Sequence, residues 1–345
     1  IIMRSTAITA SSFCLPETEL THETLENRFG SETMERVVAS SGIESRKVVR
    51  TNCCASDLAY SAANLLLNKH KIDRESIDLL IFATQTPDYL IPTTACILQD
   101  RLNLRTSIAA FDLNLGCSQY VYSLSVAHSM IVSGLIDRAL VLTGDTISRI
   151  LAKDDRSVVP LFGDAGTATL LEAKKPTEGF SHFMFGTNGS GSNYLIWPNS
   201  GLRNHHARQE NGNYMQMDGR AIFIFTLKHV PELVNGLLNK AKMSVNDIDL
   251  FIFHQASELI INSAAKKLNI PTSKLHYKVK DCGNSGGSTV AVALTDAWIN
   301  GKVKPGMKVL LAGFGVGLSW SGCILTWPEH AYGPTANTLK MEEIA

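Results

Sequence analysis

Three residues have the types and placement for nucleophilic and oxyanion-stabilising chemistry: Cys117, His254 and Asn284. Cys117 and Asn284 are each read as just after a strand and at the start of a helix, and His254 as just after a strand, where open α/β sheets gather their ligands. Gly116 allows a tight turn that exposes the sulfur of Cys117, and a helix reads from there onward. Free backbone N–H groups and a partial positive charge at a helix start predict a thiol pKa below the usual value of about 8.5. His254 directly follows Ile248–Phe253, and Asn284 sits in the run Cys282-Gly283-Asn284-Ser285-Gly286-Gly287-Ser288. Singly, each has a plainer reading: a packed cysteine, a hydrogen-bonded core histidine, a helix N-cap. Glycine runs also cradle phosphates, but no G-x-x-x-x-G-K-[ST] pattern is present. The seven cysteines are odd in number and show no C-x-x-C spacing, so neither a disulfide framework nor a metal site is expected.

What groups the three is an internal duplication. Ile77-Asp78-Leu79-Leu80-Ile81-Phe82 recurs as Ile248-Asp249-Leu250-Phe251-Ile252-Phe253, a shift of 171 residues. Leu102-Asn103-Leu104 is answered by Leu268-Asn269-Ile270. Cys117 and Gly134, 17 residues apart, are answered by Asn284 and Gly301 at the same separation. Ala139–Gly144 is answered by Lys308–Gly313. Four landmarks in one order, shifted by 166 to 171 residues, describe two copies of a strand–helix–strand–helix unit. The repeat brings Cys117, His254 and Asn284 to one face.

The elements follow from apolar spacing. In the first half we expect helix 55–68, strand 77–83, helix 92–102, strand 108–113, helix 117–134, strand 139–144 and a strand at 168–172. The second half reads as helix 218–240, strand 248–253, helix 258–268, helix 284–300, strand 308–313 and strand 321–327. Residues 186–213, rich in Gly, Asn and Ser, read as a long loop near a site. Alternating strands and helices imply an α/β protein with mostly parallel sheets, one sheet per half. The division expected is 1–175 for the half carrying Cys117 and 176–345 for the half carrying His254 and Asn284.

The balance of 32 Lys+Arg against 32 Asp+Glu argues against nucleic acid as a partner. No apolar stretch reaches the roughly 18 residues of a membrane span, and the amino terminus lacks a signal-peptide layout. A cytoplasmic protein with no membrane partner is expected.

With these residues in view, the chain resembles the β-ketoacyl-acyl carrier protein synthase III family of the thiolase superfamily along nearly its whole length. The resemblance is carried by Ala110-Phe111-Asp112, Cys117, Tyr122, Leu124-Ser125-Val126-Ala127, Ser133-Gly134, Phe162-Gly163-Asp164 and Ala168. Met217, Gly219, His254-Gln255-Ala256, Lys266-Lys267-Leu268, Gly283-Asn284 and Phe314-Gly315 complete it. It implies a thiolase-like five-layer αβαβα fold of two pseudo-duplicated halves, a homodimer, and a Cys117–His254–Asn284 triad. Cys117 would take an acyl group from a thioester. His254 and Asn284 would hold the carbonyl of a malonyl donor as it loses carbon dioxide. Backbone N–H groups of Cys117 and Val316 would form the oxyanion hole. No cofactor is implied, because substrates ride on coenzyme A or on the phosphopantetheine of an acyl carrier protein. Phe314 would line the site, and Lys266 and Lys267 would meet the carrier.

Departures from the family pattern fall at the entrance. Arg36 stands where the family has a tryptophan that stacks on adenine, with Arg156 matching the arginine on its other side. Ser257, Leu259 and Cys282 replace further family residues, so a carrier protein can replace acetyl-CoA as primer donor. Ile91 matches the position that reaches across the dimer into the partner's acyl channel, and its size suits a bulkier primer. The resemblance implies fatty acid biosynthesis, and such changes fit a specialised relative that supplies a polyketide, resorcinol or other secondary metabolite. A non-decarboxylating acyltransferase on the same scaffold, and a non-catalytic partner subunit that binds acyl chains or carriers, are the competing readings. A Cys-His-Asn hydrolase of the papain type conflicts with the duplication.

Overall fold

Leu79–Ala83 is buried at every residue, as a strand covered by helices on both faces must be. The computed structural model describes residues 4–204 and 213–340. In chain order the first half holds β1 (Ser5–Pro16), β2 (Glu19–Thr21), α1 (His22–Phe29), α2 (Ser31–Ser41), β3 (Ser45–Lys47), α3 (Ala55–Lys69) and β4 (Leu79–Ala83). It continues through α4 (Thr94–Arg101), β5 (Ala109–Leu113), α5 (Gln119–Val132), β6 (Arg138–Thr146) and β7 (Asp164–Lys174). Then follow β8 (Gly179–Thr187), β9 (Leu195–Ile196), β10 (Gln216–Met217), α6 (Gly219–Ala241), β11 (Leu250–Phe253) and α7 (Glu258–Lys267). The chain closes with α8 (Val279–Cys282), α9 (Thr289–Ile299), β12 (Lys308–Gly315), β13 (Ser319–Thr326) and β14 (Gly333–Leu339).

Among the described residues one sheet has the order β14-β1-β7-β6-β4-β5 and another β11-β12-β13-β8. The two sandwich α5 and α9. Tyr120, Leu124 and Ile131 of α5 and Val290, Leu294 and Ala297 of α9 share one core with Ile81 and Val141 of the first sheet and Ile252 and Leu311 of the second. Each fully buried leucine or isoleucine there contributes roughly 1.5–3 kcal/mol by leaving water. Helices α3 and α4 cover the outer face of the first sheet, and α6 and α7 that of the second. This is the five-layer αβαβα arrangement. Of the long expected loop, β8 takes residues 186 and 187, while residues 205–212 lie outside the described ones.

Local chemistry explains the boundaries. Asp57 starts α3 by accepting the Cys54 N–H at 2.8 Å. Gly166 of β7 lets that helix lie close, since a Cβ there would sit 2.3 Å from the Ala59 nitrogen. α6 is long and apolar enough to cross a membrane by length and composition. Here its Val230, Leu233, Val234 and Leu237 pack into the core of the second half.

Three expectations need correction. The sheets are mixed: β4 pairs in parallel with β5 and β6, but β7 runs antiparallel to both β6 and β1, and β13 to both β12 and β8. β6 and β7 are joined without a crossover helix of regular length, so the chain returns antiparallel. The helix expected at 284–300 begins at Thr289, behind a single 3₁₀ turn at Gly286–Ser288. The connection at 175–178 separates β7 from β8, yet β14 from the far end of the chain pairs with β1 in the first sheet, Ala10 opposite Gly333 through Pro16 opposite Leu339.

Candidate active site

A cavity of about 280 Å³ is lined by Cys117, His254, Asn284, Phe314 and Gly315 at its floor, with Ser40, Ser41 and Leu259 toward its mouth. No lining residue carries a charged side chain.

Cys117 lies in the turn between β5 and α5, two residues before the helix proper. Its surroundings are pressed together by glycine. A Cβ on Gly116 would meet Val316 at 1.7 Å, and one on Gly315 would lie 2.7 Å from the Cys117 sulfur. Ser118 and Ser319 share a hydroxyl hydrogen bond of 2.7 Å that ties this turn to β13. The backbone N–H groups of Val316 and of Cys117 itself lie near the sulfur and favour its thiolate. Even so, burial pushes the thiol up to about 12, with the charge of Asp145 adding to the rise. The expected lowering by a helix start is overturned: removal from water outweighs the two N–H groups, and Cys117 is 5 % exposed.

His254 directly follows β11, where its N–H meets the Ala312 carbonyl at 2.8 Å. Its Nδ1 lies 2.5 Å from Oγ1 of Thr289. The Phe314 ring stands edge-on to the imidazole, centroids 5.4 Å apart at 89°. Burial alone lowers this histidine to about 3, so the ring is a neutral imidazole at physiological pH. Asn284 is held by its backbone, N–H to Leu161 at 2.9 Å and carbonyl from the Gly163 N–H at 3.0 Å. Its Oδ1 accepts the Gly286 N–H at 3.0 Å, which leaves the NH₂ as the end free to donate. Asn284 is not a helix N-cap: Ser285 precedes the 3₁₀ turn and Ser288 precedes α9.

Asp145, at the end of β6, escaped the sequence reading. This fully buried carboxylate accepts the Gln85 N–H at 2.8 Å, the Gly287 N–H at 2.8 Å and the Gln119 side-chain amide at 3.2 Å. It therefore joins the turn after Cys117 to the turn after Asn284. A carboxylate closing the apolar run Ala139–Leu142 was the available signal. Burial pushes its carboxyl up to about 6. The ionised form consequently opposes folding above pH 6, and the opposition fades as pH falls toward the ordinary carboxylate range, on the order of 3 kcal/mol in full. In Asp145→Asn that pH dependence is gone. Urea midpoints of the native protein should gain on those of the variant between pH 7 and pH 4; parallel profiles would show an ordinary carboxyl.

The remaining candidates lie outside the cavity. Arg36 is an exposed residue of α2 paired with Glu32 at 2.5 Å, about 6 Å of helix rise from Ser40 at the mouth. Arg156 and Lys266 are exposed, and Lys267 donates to the Leu227 carbonyl at 3.0 Å. Ile91 is 88 % exposed beside exposed Tyr89 and Leu90. Ser257 caps α7, accepting the Ile260 N–H at 3.2 Å, and Cys282 points its thiol at the Lys278 carbonyl at 2.8 Å. Among the described residues no group of three or more His, Cys, Asp or Glu is placed to hold a metal ion.

Comparison with known proteins agrees with this arrangement. Residues 111–189 match the family described as 3-oxoacyl-[acyl-carrier-protein (ACP)] synthase III, and residues 238–327 match its C-terminal region. A β-ketoacyl-[acyl-carrier-protein] synthase III from Fusobacterium nucleatum is 33 % identical over 328 residues, spanning 94 % of this chain and 99 % of the relative. The crystal structure of a 3-oxoacyl-(acyl-carrier protein) synthase from Burkholderia xenovorans superposes with a TM-score of 0.91 at 32 % identity, covering 97 % of this chain and 98 % of the other. The priming β-ketosynthase of the R1128 polyketide pathway gives 0.88 at 25 % identity, covering 95 % and 97 %. A buried thiol, a neutral imidazole and an amide on this duplicated scaffold, together with matches along nearly the whole chain, make it a member of the 3-oxoacyl-[acyl-carrier-protein] synthase III family, condensing enzymes that transfer acyl groups.

Proposed function

We propose that Cys117 is the nucleophile, with His254 and Asn284 as neutral donors to an enolate and the N–H groups of Cys117 and Val316 as the oxyanion hole. The observation that carries this reading is a buried cavity in which a thiol, a neutral imidazole and an amide NH₂ meet no charged side chain. In the first step the thiol attacks an acyl thioester, the acyl–sulfur bond to the carrier breaks, and the carrier leaves as a thiol. In the second a malonyl thioester loses its carboxylate as carbon dioxide, and the electron pair moves onto the thioester carbonyl. An uncharged, water-poor cavity holds a carboxylate badly and two hydrogen bonds hold the enolate oxygen well, which favours that loss. The enolate carbon then attacks the acyl-cysteine, a carbon–carbon bond forms, and the sulfur departs as a thiolate that takes a proton from water to restore the Cys117 thiol.

The donors are read as coenzyme A or an acyl carrier protein, whose pantetheine arm reaches Cys117 from the mouth at Ser40 and Ser41. Arg36 and Arg156, both exposed, are read as the contacts for a nucleotide or carrier, and exposed Lys266 and Lys267 of α7 as those for an acidic carrier. Apolar Leu259, 47 % exposed at the mouth, supports a specialised primer, such as that of a secondary metabolite. A homodimer is supported by β5 at the margin of its sheet and by the exposed run Tyr89-Leu90-Ile91. Incubation with a panel of acyl-CoA and acyl-carrier donors, read by intact mass, should add one acyl group to Cys117. Labelled malonyl carrier should then release carbon dioxide in step with product. Acyl uptake with no carbon dioxide would favour the non-decarboxylating acyltransferase.

A further inference from the structure

We propose that Thr289 is a positioning residue whose hydroxyl donates to Nδ1 of His254 and so fixes the imidazole with its hydrogen on Nε2. The inference rests on the condensing function above and extends it to a residue outside the triad.

The argument is an accounting of protons. Thr289 opens α9 and is 2 % exposed, so its hydroxyl hydrogen must find an acceptor inside the protein. A helical threonine commonly gives it to the carbonyl four residues back. Here, among the described residues, the hydroxyl makes no bond to the Ser285 carbonyl and turns to His254. Among the described residues the hydroxyl has one hydrogen-bond partner, Nδ1 of His254 at 2.5 Å. Were Nδ1 the donor, the threonine hydrogen would be buried with nothing to meet. The hydroxyl therefore donates and Nδ1 accepts. A neutral imidazole carries one ring hydrogen, and with Nδ1 accepting, that hydrogen is on Nε2. His254 lines the cavity, and Phe314 edge-on to its ring limits rotation.

The consequence is a division of labour. An imidazole so fixed donates through Nε2 to the oxygen where the electron pair arrives as malonyl thioester loses carbon dioxide. It cannot also take the Cys117 proton through Nε2. In the acyl-transfer step the thiol hydrogen therefore ends on the departing carrier thiol: Cys–SH and acyl–S–carrier give Cys–S–acyl and carrier–SH, with nothing left over.

The test is made on the full-length protein labelled with ¹⁵N-histidine. The ring nitrogen shifts of His254, assigned by comparison with His254→Gln, should show the Nε2–H tautomer in the native protein at neutral pH. Thr289→Val keeps the branched shape and removes the hydroxyl; it should give a mixture of tautomers. Carbon dioxide release should then fall on the order of 10- to 100-fold, below the loss of a whole donor. Acyl uptake by Cys117 should stay within about twofold, and Thr289→Ser should restore both shifts and rate. An Nδ1–H tautomer in the native protein overturns the proposal even if the valine variant does not fold. So does a valine variant with native shifts and native carbon dioxide release. A native protein that releases no carbon dioxide from malonyl thioester sinks the condensing function instead, and leaves the ring shifts to decide the role of Thr289.

Discussion

Cys117→Ala takes up no acyl mass from any thioester donor, and condensation falls to the uncatalysed rate. The reason lies in the other cysteines as much as in Cys117. Burial pushes Cys53 and Cys282 up to about 12, and Cys323 is raised by burial as well. None of these has the Val316 N–H at its sulfur. Cys54 and Cys96 are the accessible thiols, but neither lines the cavity. Intact-protein mass spectrometry after incubation with acyl-CoA is the measurement. An acyl adduct retained in Cys117→Ala would move the nucleophile elsewhere and dissolve the proposed site. A raised thiol pKa does not prevent the reaction, because the thiolate needs to form only transiently, as the sulfur attacks and its proton passes to the departing carrier thiol. The two N–H groups at the sulfur are already in place to receive charge.

Asn284→Asp is expected to lose condensation by more than the 10²–10³ typical of a missing donor. The substitution preserves the oxygen that accepts the Gly286 N–H and replaces the free NH₂ by a second oxygen. A carboxylate then faces the developing enolate in a cavity with no charged side chain to offset it. Acylation of Cys117 should survive, so acyl uptake and carbon dioxide release separate. The pH profile gives the sign. Burial raises a carboxyl above its ordinary range, and its protonated form can donate again. Part of the lost rate should return between pH 7 and pH 5, while the native protein shows no such gain. A variant that condenses at the native rate near pH 8 would remove Asn284 from the chemistry.

The legibility of this fold in its sequence was uneven, for physical reasons. Strands β4 and β11 are buried on both faces, so each prints a continuous apolar run, and their likeness exposed the duplication. β1 is buried just as completely, yet its sequence is Ser-Thr-Ala-Ile-Thr-Ala-Ser-Ser-Phe-Cys-Leu-Pro. Five of its twelve residues are serine or threonine, small enough to pack in the core: Ser11 pairs with Thr295 at 2.5 Å, while the hydroxyls of Thr6, Thr9 and Ser12 are buried without a partner among the described residues. β8 and β14 were missed as well, both being only partly buried along their length. At the site, Cys117, His254 and Asn284 were legible through the repeat, and Phe314 through the family pattern. Asp145 and Thr289 were not: one looked like a polar strand end, the other like an ordinary helix residue. Their roles exist only in three dimensions. Arg36, Arg156, Lys266 and Lys267 show the converse, since an exposed cation looks the same in sequence whether it waits for a partner or only for water.

The pairing of β14 with β1 has a consequence beyond the single molecule. It lies past residue 327, where the match to the family ends. The two edges of the first sheet are therefore β14 and β5, and β1 is paired on both sides. β14 thereby withholds the backbone of β1, a fully formed strand of twelve residues, from pairing with any other chain, and leaves a shorter strand of seven in its place as the edge.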